Sequence, residues 1–157
     1  MKILALDPGG TTGWCMFNDG EFGEYGEEWS HGQIGPQEHH LALWRFLQKE
    51  RPDILICESF QFRQFDGNRT GIVLISNEYI GIAKLYAETF TEGSFKPQVV
   101  FQTASQGKGL MKDDKLKNLS LWFPGEQHAR DAARHLVYYM VTKLGRNDIA
   151  AKMVGRK

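Results

Sequence analysis

The sequence predicts an α/β fold, a five-stranded mixed sheet flanked by helices, and three observations carry that expectation. Three strand-like segments follow one another over residues 2–34, which suits an antiparallel meander. From residue 36 onward, helical and strand-like segments alternate, which suits parallel strands joined by crossover helices. Two apolar runs, ILAL at 3–6 and ILIC at 54–57, end directly on an acid, Asp7 and Glu58. The carboxyl edge of such a sheet is where ligands are commonly placed.

The elements follow in order. Residues 2–6 are a strand that stops at Asp7, Pro8-Gly9-Gly10 supplies a turn, and residues 12–17 return as the second strand. Residues 20–34, rich in glycine with spaced aromatics, predict a third strand with irregular edges. Pro36 opens a helix to about Glu50 with an apolar stripe of Leu41, Leu43, Trp44 and Leu47, and Arg51-Pro52 ends it. Residues 54–57 form a fourth, buried strand, 60–69 a polar loop studded with aromatics, 70–89 a long helix and 98–101 a fifth strand. Residues 102–110 read as a loop containing Gly and Ser. A short helix at 112–121 is stopped by Pro124-Gly125, and a last helix spans 127–144. The basic stretch from about 146 reads as a flexible tail. This order is the one the ribonuclease H-like fold uses, and 157 residues suit one such domain.

Composition excludes several classes. With 41% apolar and 24% charged residues the chain can build a core and is not low in complexity. No apolar run approaches the roughly 20 residues needed to span a bilayer, and the first residues do not read as a signal peptide, so a cytoplasmic protein without a membrane partner is expected. Cys15 and Cys57 lie in strand-like apolar stretches and read as small buried hydrophobes. The net charge is zero but unevenly spread. Residues 1–57 hold 4 Lys/Arg against 9 Asp/Glu, whereas residues 108–157 hold 11 against 5. The last third is therefore a candidate phosphate-binding arm on an acidic body.

The acids carry the chemistry. A carboxylate beside a core strand is unfavourable unless something compensates it, and a divalent cation is a natural compensator. His128 and Asp131 are three apart on the last predicted helix and share a face. Asp7, Glu58 and Asp131 offer the oxygen ligands that Mg²⁺ and Mn²⁺ prefer. Two ions about 3.5–4 Å apart would suit phosphodiester cleavage. His128 is either a further ligand or a general base, and sequence does not separate the two. His135, four beyond Asp131, reads as a packing or hydrogen-bonding histidine.

Three stretches, ILALDPGGTTGW at 3–14, DILICESF at 53–60 and HARDAARHLVYY at 128–139, resemble the RuvC family of Holliday-junction resolvases, particularly its bacteriophage members. Asp7, Glu58, His128 and Asp131 match the family's catalytic and metal-ligating positions. The resemblance implies a Mg²⁺- or Mn²⁺-dependent endonuclease that nicks branched DNA in recombination and repair, often as a homodimer. It also implies an aromatic wedge after the catalytic Glu, for which Phe60 and Phe62 are best placed, with Arg63 between them and the rest of the loop. Lys108, Lys112 and Lys115 suit phosphate contacts, Lys115 most of all, and Arg130, on the acid-bearing helix beside Asp131, suits the same role. The chain is more neutral than the family's usual basic character, and no family-like dimer helix is identifiable.

Other readings stay open at this point. DPGGTTG at 7–13 also resembles the first phosphate loop of the actin, sugar-kinase and heat-shock ATPase superfamily, which needs a second lobe that 157 residues cannot supply. A non-catalytic branched-DNA-binding module, and a nuclease of the same fold acting on RNA or RNA–DNA hybrids, are the remaining alternatives.

Overall fold

The computed structural model describes residues 1–19, 28–36, 38–59, 70–89 and 96–155. Five strands, β1 (Lys2–Asp7), β2 (Thr12–Asn18), β3 (Glu28–Ile34), β4 (Ile54–Ser59) and β5 (Gln98–Thr103), form one sheet in the order β3-β2-β1-β4-β5. The meander β1–β2–β3 is antiparallel, whereas β4 joins β1 and β5 joins β4 in parallel. Helices α1 (His39–Glu50) and α2 (Thr70–Thr89) connect the parallel strands, and α3 (Ala104–Leu110), α4 (Asp113–Asn118), α5 (Gln127–Thr142) and α6 (Asn147–Met153) follow. The mixed sheet flanked by helices is the architecture the sequence predicts.

The strand period of two divides the apolar residues between two cores. Ile3, Ala5, Cys15, Phe17, Ile54 and Ile56 face α5 and meet Leu136 and Met140 together with Met111 and Leu116. Leu4, Leu6, Leu55 and Cys57 point the other way, onto Leu43 and Leu47 of α1 and Tyr79, Ala83 and Tyr86 of α2. Both faces of β1 and β4 are therefore covered, which is why these strands read as continuous apolar runs. Each such side chain contributes roughly 1.5–3 kcal/mol on full burial. Cys15 and Cys57 are free and buried, as expected of small hydrophobes. Among the described residues, no helix is long and apolar enough to cross a membrane.

Two segments differ from the sequence expectation. Residues 104–110 are helical where a loop is predicted from Gly107 and Gly109. The backbone N–H of Thr103 donates to Gln106 Oε1 at 2.7 Å, half of a capping box that the pattern Thr-x-x-Gln already encodes. Residues 147–153 form α6 where the sequence predicts a flexible tail. Its Ile149 and Met153 are buried in the α5-side core, and Asn118 Nδ2 donates to the Met153 carbonyl at 3.0 Å. The expected irregular start of the third strand at 20–27 and the expected aromatic loop at 60–69 lie outside the described residues.

Candidate active site

Register brings the first two acids level. Leu6 pairs with Cys57 across β1 and β4, and the next residue on each parallel strand is Asp7 and Glu58. Alternation then sends Asp7, after Ile3 and Ala5, to the α5 face, and Glu58, after Ile54 and Ile56, to the same face. Gln102 pairs with Glu58 on β5 and follows Val100 on that face too. Asp7, Glu58 and Gln102 thus form a buried polar row across three strand ends, only 6%, 3% and 3% exposed.

Helix α5 supplies the opposing side. Its apolar stripe, Ala129, Ala132, Ala133, Leu136 and Met140, docks on the sheet. The helix start lies so close to β2 that a Cβ on Gly13 would come within 2.0 Å of the His128 carbonyl carbon, so only glycine fits there. The His128 backbone N–H donates to Gln33 Oε1 of β3 at 3.2 Å. These contacts set His128 and Asp131 over the strand ends. His128 Nδ1 lies 2.8 Å from Asp7 Oδ2, and Asp131 is buried. The four predicted site residues therefore come together, and Asp7, Glu58, His128 and Asp131 all line one open cleft of about 570 Å³ with Gly9, Gly10 and Thr11 of the first turn.

Cations of the chain hold this acidic group together. Helix α3 places Lys108 Nζ 3.5 Å from Glu58 Oε2 and 3.4 Å from Asp131 Oδ2. Arg134, one turn along α5, bridges Asp131 and Asp113. Burial pushes the Asp7 carboxyl above its ordinary range. The neighbouring Glu58 and Asp131 add to that, and the hydrogen bond with His128 only partly opposes it. Burial also acts to raise Glu58, but the hydrogen bond and charge of His135, with Lys108, outweigh it and hold Glu58 below the usual range. Burial would lower Lys108, yet Asp7, Glu58 and Asp131 together raise it. His128 is raised by its hydrogen bond with Asp7.

His135 is fully buried and bonded through both ring nitrogens. Nε2 lies 2.8 Å from Glu58 Oε2, and Nδ1 lies 2.8 Å from Gln102 Oε1. Sequence reading of His135 as a hydrogen-bonding residue finds its partners here, but Gln102 and Gly107 escape it. The signal for Gln102 is its place level with Glu58 on the next strand. Gly107 carries no sequence signal, since its segment reads as a loop and the helix around it is seen only in the structure.

The expected DNA contacts divide. Lys112 is exposed and borders, with Lys108 and Arg134, a second cleft of about 330 Å³ beside Asp131. Lys115 Nζ donates to the Leu110 carbonyl at 2.7 Å, closing the end of α3. Arg130 donates to the Phe123 carbonyl, and its guanidinium carbon lies 4.5 Å from the Trp122 ring centre. Phe60, Phe62 and Arg63 lie outside the described residues.

The donor set fits a divalent cation in kind. Three converging carboxylates offer hard oxygen, and their excess negative charge already draws in one ammonium, that of Lys108. Among the described residues, no group of three acidic, histidine or cysteine side chains is spaced to hold an ion as it stands. The position between Glu58 and Asp131 belongs to Lys108, and an ion there requires that side chain to withdraw.

No protein-family model and no curated protein matches the chain. Solved structures do. RuvC of T. thermophilus bound to a Holliday junction substrate shares 15% identity at a TM-score of 0.58, over 91% of this chain and 96% of that one. Thermus thermophilus RuvC shares 16% at 0.59, over 92% and 97%. The Fowlpox virus resolvase in complex with substrate Holliday junction DNA shares 14% at 0.51, over 88% and 96%. With its meander, two parallel strands and acid-bearing strand ends under α5, the chain has the RuvC-like form of the ribonuclease H-like fold.

Proposed function

We propose that residues 1–157 form one nuclease domain, a structure-selective endonuclease that hydrolyses phosphodiester bonds in branched DNA with Mg²⁺ or Mn²⁺. The observation that carries the reading is the convergence of Asp7, Glu58 and Asp131, three buried acids from three elements far apart in sequence, on one open cleft. Once Lys108 withdraws from Glu58 and Asp131, Asp7, Glu58, Asp131 and His128 would hold up to two ions. When bound, these would stabilise charge on the attacking and leaving oxygens. His128 holds Asp7 through its Nδ1 and sits half-exposed at the cleft, placed to orient a water. Lys112, with Lys108 once released, lies where a DNA backbone phosphate would run along α5. Phe60 and Phe62 remain the proposed wedge, with Arg63 as a further DNA-binding residue, on sequence grounds. The fold shared with two junction-bound resolvases supports branched DNA as substrate, and a homodimer as the working unit is proposed from the family resemblance alone.

The test is cleavage of a labelled panel: four-way junction, flap, fork, linear duplex and RNA–DNA hybrid, each in Mg²⁺, Mn²⁺ or chelator. Branched DNA should be cut in either ion and not in chelator. Asp7→Asn and Glu58→Gln should each abolish cutting while junction binding persists, since less negative charge then faces the phosphates. Full activity of either variant in Mg²⁺ refutes the assignment. One observation favours a second reading. Every acid of the cluster already has a partner in the chain, His128, Lys108, Arg134 or His135. A non-catalytic branched-DNA-binding module would need no more than that. It would bind junctions with equal strength in chelator and cut nothing in the panel.

A further inference from the structure

Glu58 is held in a way that Asp7 and Asp131 are not. Its carboxylate Oε2 accepts from His135 Nε2 at 2.8 Å, and the same imidazole reaches Gln102 Oε1 through Nδ1 at 2.8 Å. Gln102 sits directly opposite Glu58 in the β4–β5 register, so the ring, carried by α5, spans two neighbouring strand ends. The ring is wholly buried, and its other surface is closed by α3. A Cβ on Gly107 would come within 2.8 Å of His135 Cε1 and 2.9 Å of Nδ1. Such a contact is too short to keep without moving the ring, so glycine is what allows the imidazole to lie there.

We propose, on the nuclease reading above, that His135 is a positioning residue for Glu58. Clamped between Gln102 and Gly107, it fixes the carboxylate at the cleft in the orientation that receives a cation. The chemistry of the pair supports this. An ionised carboxylate can only accept, so Nε2 must carry the proton. Gln102 Nε2 is buried without a hydrogen-bond partner, and a half-turn of the amide sets it against Nδ1 instead of Oε1. Either amide orientation leaves His135 Nε2 donating its proton to the Glu58 carboxylate, so the clamp works whichever is present. A free Glu side chain on a strand end has three torsions to lose on ordering. Fixing them beforehand removes that loss from the binding step.

Two substitutions separate positioning from packing. His135→Met keeps an apolar side chain of similar size and removes the donor. His135→Gln returns an amide nitrogen to the position of Nε2. Both are measured for thermal unfolding, for Mn²⁺ affinity by calorimetry without DNA, and for kcat and KM on a four-way junction. His135→Met should lose roughly 10–100-fold in Mn²⁺ affinity and in kcat with KM little changed, and His135→Gln should recover most of both. Gly107→Ala, which keeps every donor but displaces the ring, should show a smaller loss of the same kind, and it carries the test if His135→Met does not fold. Glu58→Gln is the reference. If Glu58→Gln still binds Mn²⁺ and cuts, the active-site reading fails. If Glu58→Gln is dead while folded His135→Met or Gly107→Ala matches wild type, the positioning role alone is overturned. Equal losses in His135→Met and His135→Gln overturn it too.

Discussion

The two ends of the β1–β4 pair are built on opposite principles. At the amino ends, charges are matched with little left over. The Lys2 backbone N–H donates to Asp53 Oδ2 at 2.7 Å, and Lys2 Nζ reaches the Glu50 carbonyl at 2.8 Å and its carboxylate at 3.3 Å. These groups tie the end of α1 to the strands at the protein's edge. At the carboxyl ends, Asp7, Glu58 and Asp131 are nearly out of reach of water and stand close together, with Lys108 between Glu58 and Asp131, Arg134 on Asp131 and His128 on Asp7. Paired edge charges give a small gain in stability. Crowded buried acids oppose folding unless a cation joins them. The same two strands therefore carry a fastening at one end and a close-set group of buried acids, held by chain cations and histidines, at the other.

The largest effect that sharpens this contrast is expected at His128. His128→Asp should keep substantial junction cleavage, because the carboxylate replaces a ligand, whereas His128→Ala should fall roughly 10–100-fold. Steady-state rates in Mn²⁺ decide it. Equal loss in both variants would make His128 a proton-transfer group. Wild-type rates in both would remove it from the site. Next comes Lys108→Met, read by chemical unfolding. Without divalent ion the variant should lose about 1–2 kcal/mol, less than a fully buried pair because the lysine side chain is 43% exposed. On adding Mn²⁺ it should gain more stability than wild type, since no ammonium has to leave. Identical gains in the two proteins would break the idea that Lys108 holds the cation's place. The smallest effect belongs to the other end. Lys2→Met should cost below about 1 kcal/mol and leave Mn²⁺ affinity and cleavage unchanged. A drop in cleavage there would mean that the two ends are coupled through the strands.

Much of the site is legible in the sequence because it follows from short-range periods. Asp7 and Glu58 each end an apolar strand, and a period of two fixes the face. His128 and Asp131 share a helix face by spacing alone. What sequence reading misses has a common cause. Gly107 and Gly109 look like loop residues, since glycine weakens a helix by about 1 kcal/mol. The Thr103-Gln106 cap and the room needed by His135 outweigh that penalty in the folded chain. Lys108 reads as one more phosphate-contacting lysine. Its position among the acids depends on α3 being a helix packed on α5. The expected loop and flexible tail became helices for the same reason: burial of Met111, Ile149 and Met153 came from contacts distant in sequence.

The sequence by itself determined which acids exist, which strand ends and helix face carry them, and the order of elements that makes a mixed sheet, because local periodicity and turn chemistry act over a few residues. Only the tertiary structure decided that the acids meet. That required the β1–β4 register to bring Asp7 level with Glu58, and the bare backbone of Gly13 to admit the start of α5. It also decided what holds the acids. Lys108 lies fifty residues beyond Glu58, and His135 lies seventy-seven beyond it, yet both rest on one carboxylate oxygen. Contacts between residues so far apart in the chain leave no period to read, since they are fixed by how closely helices and sheet can pack.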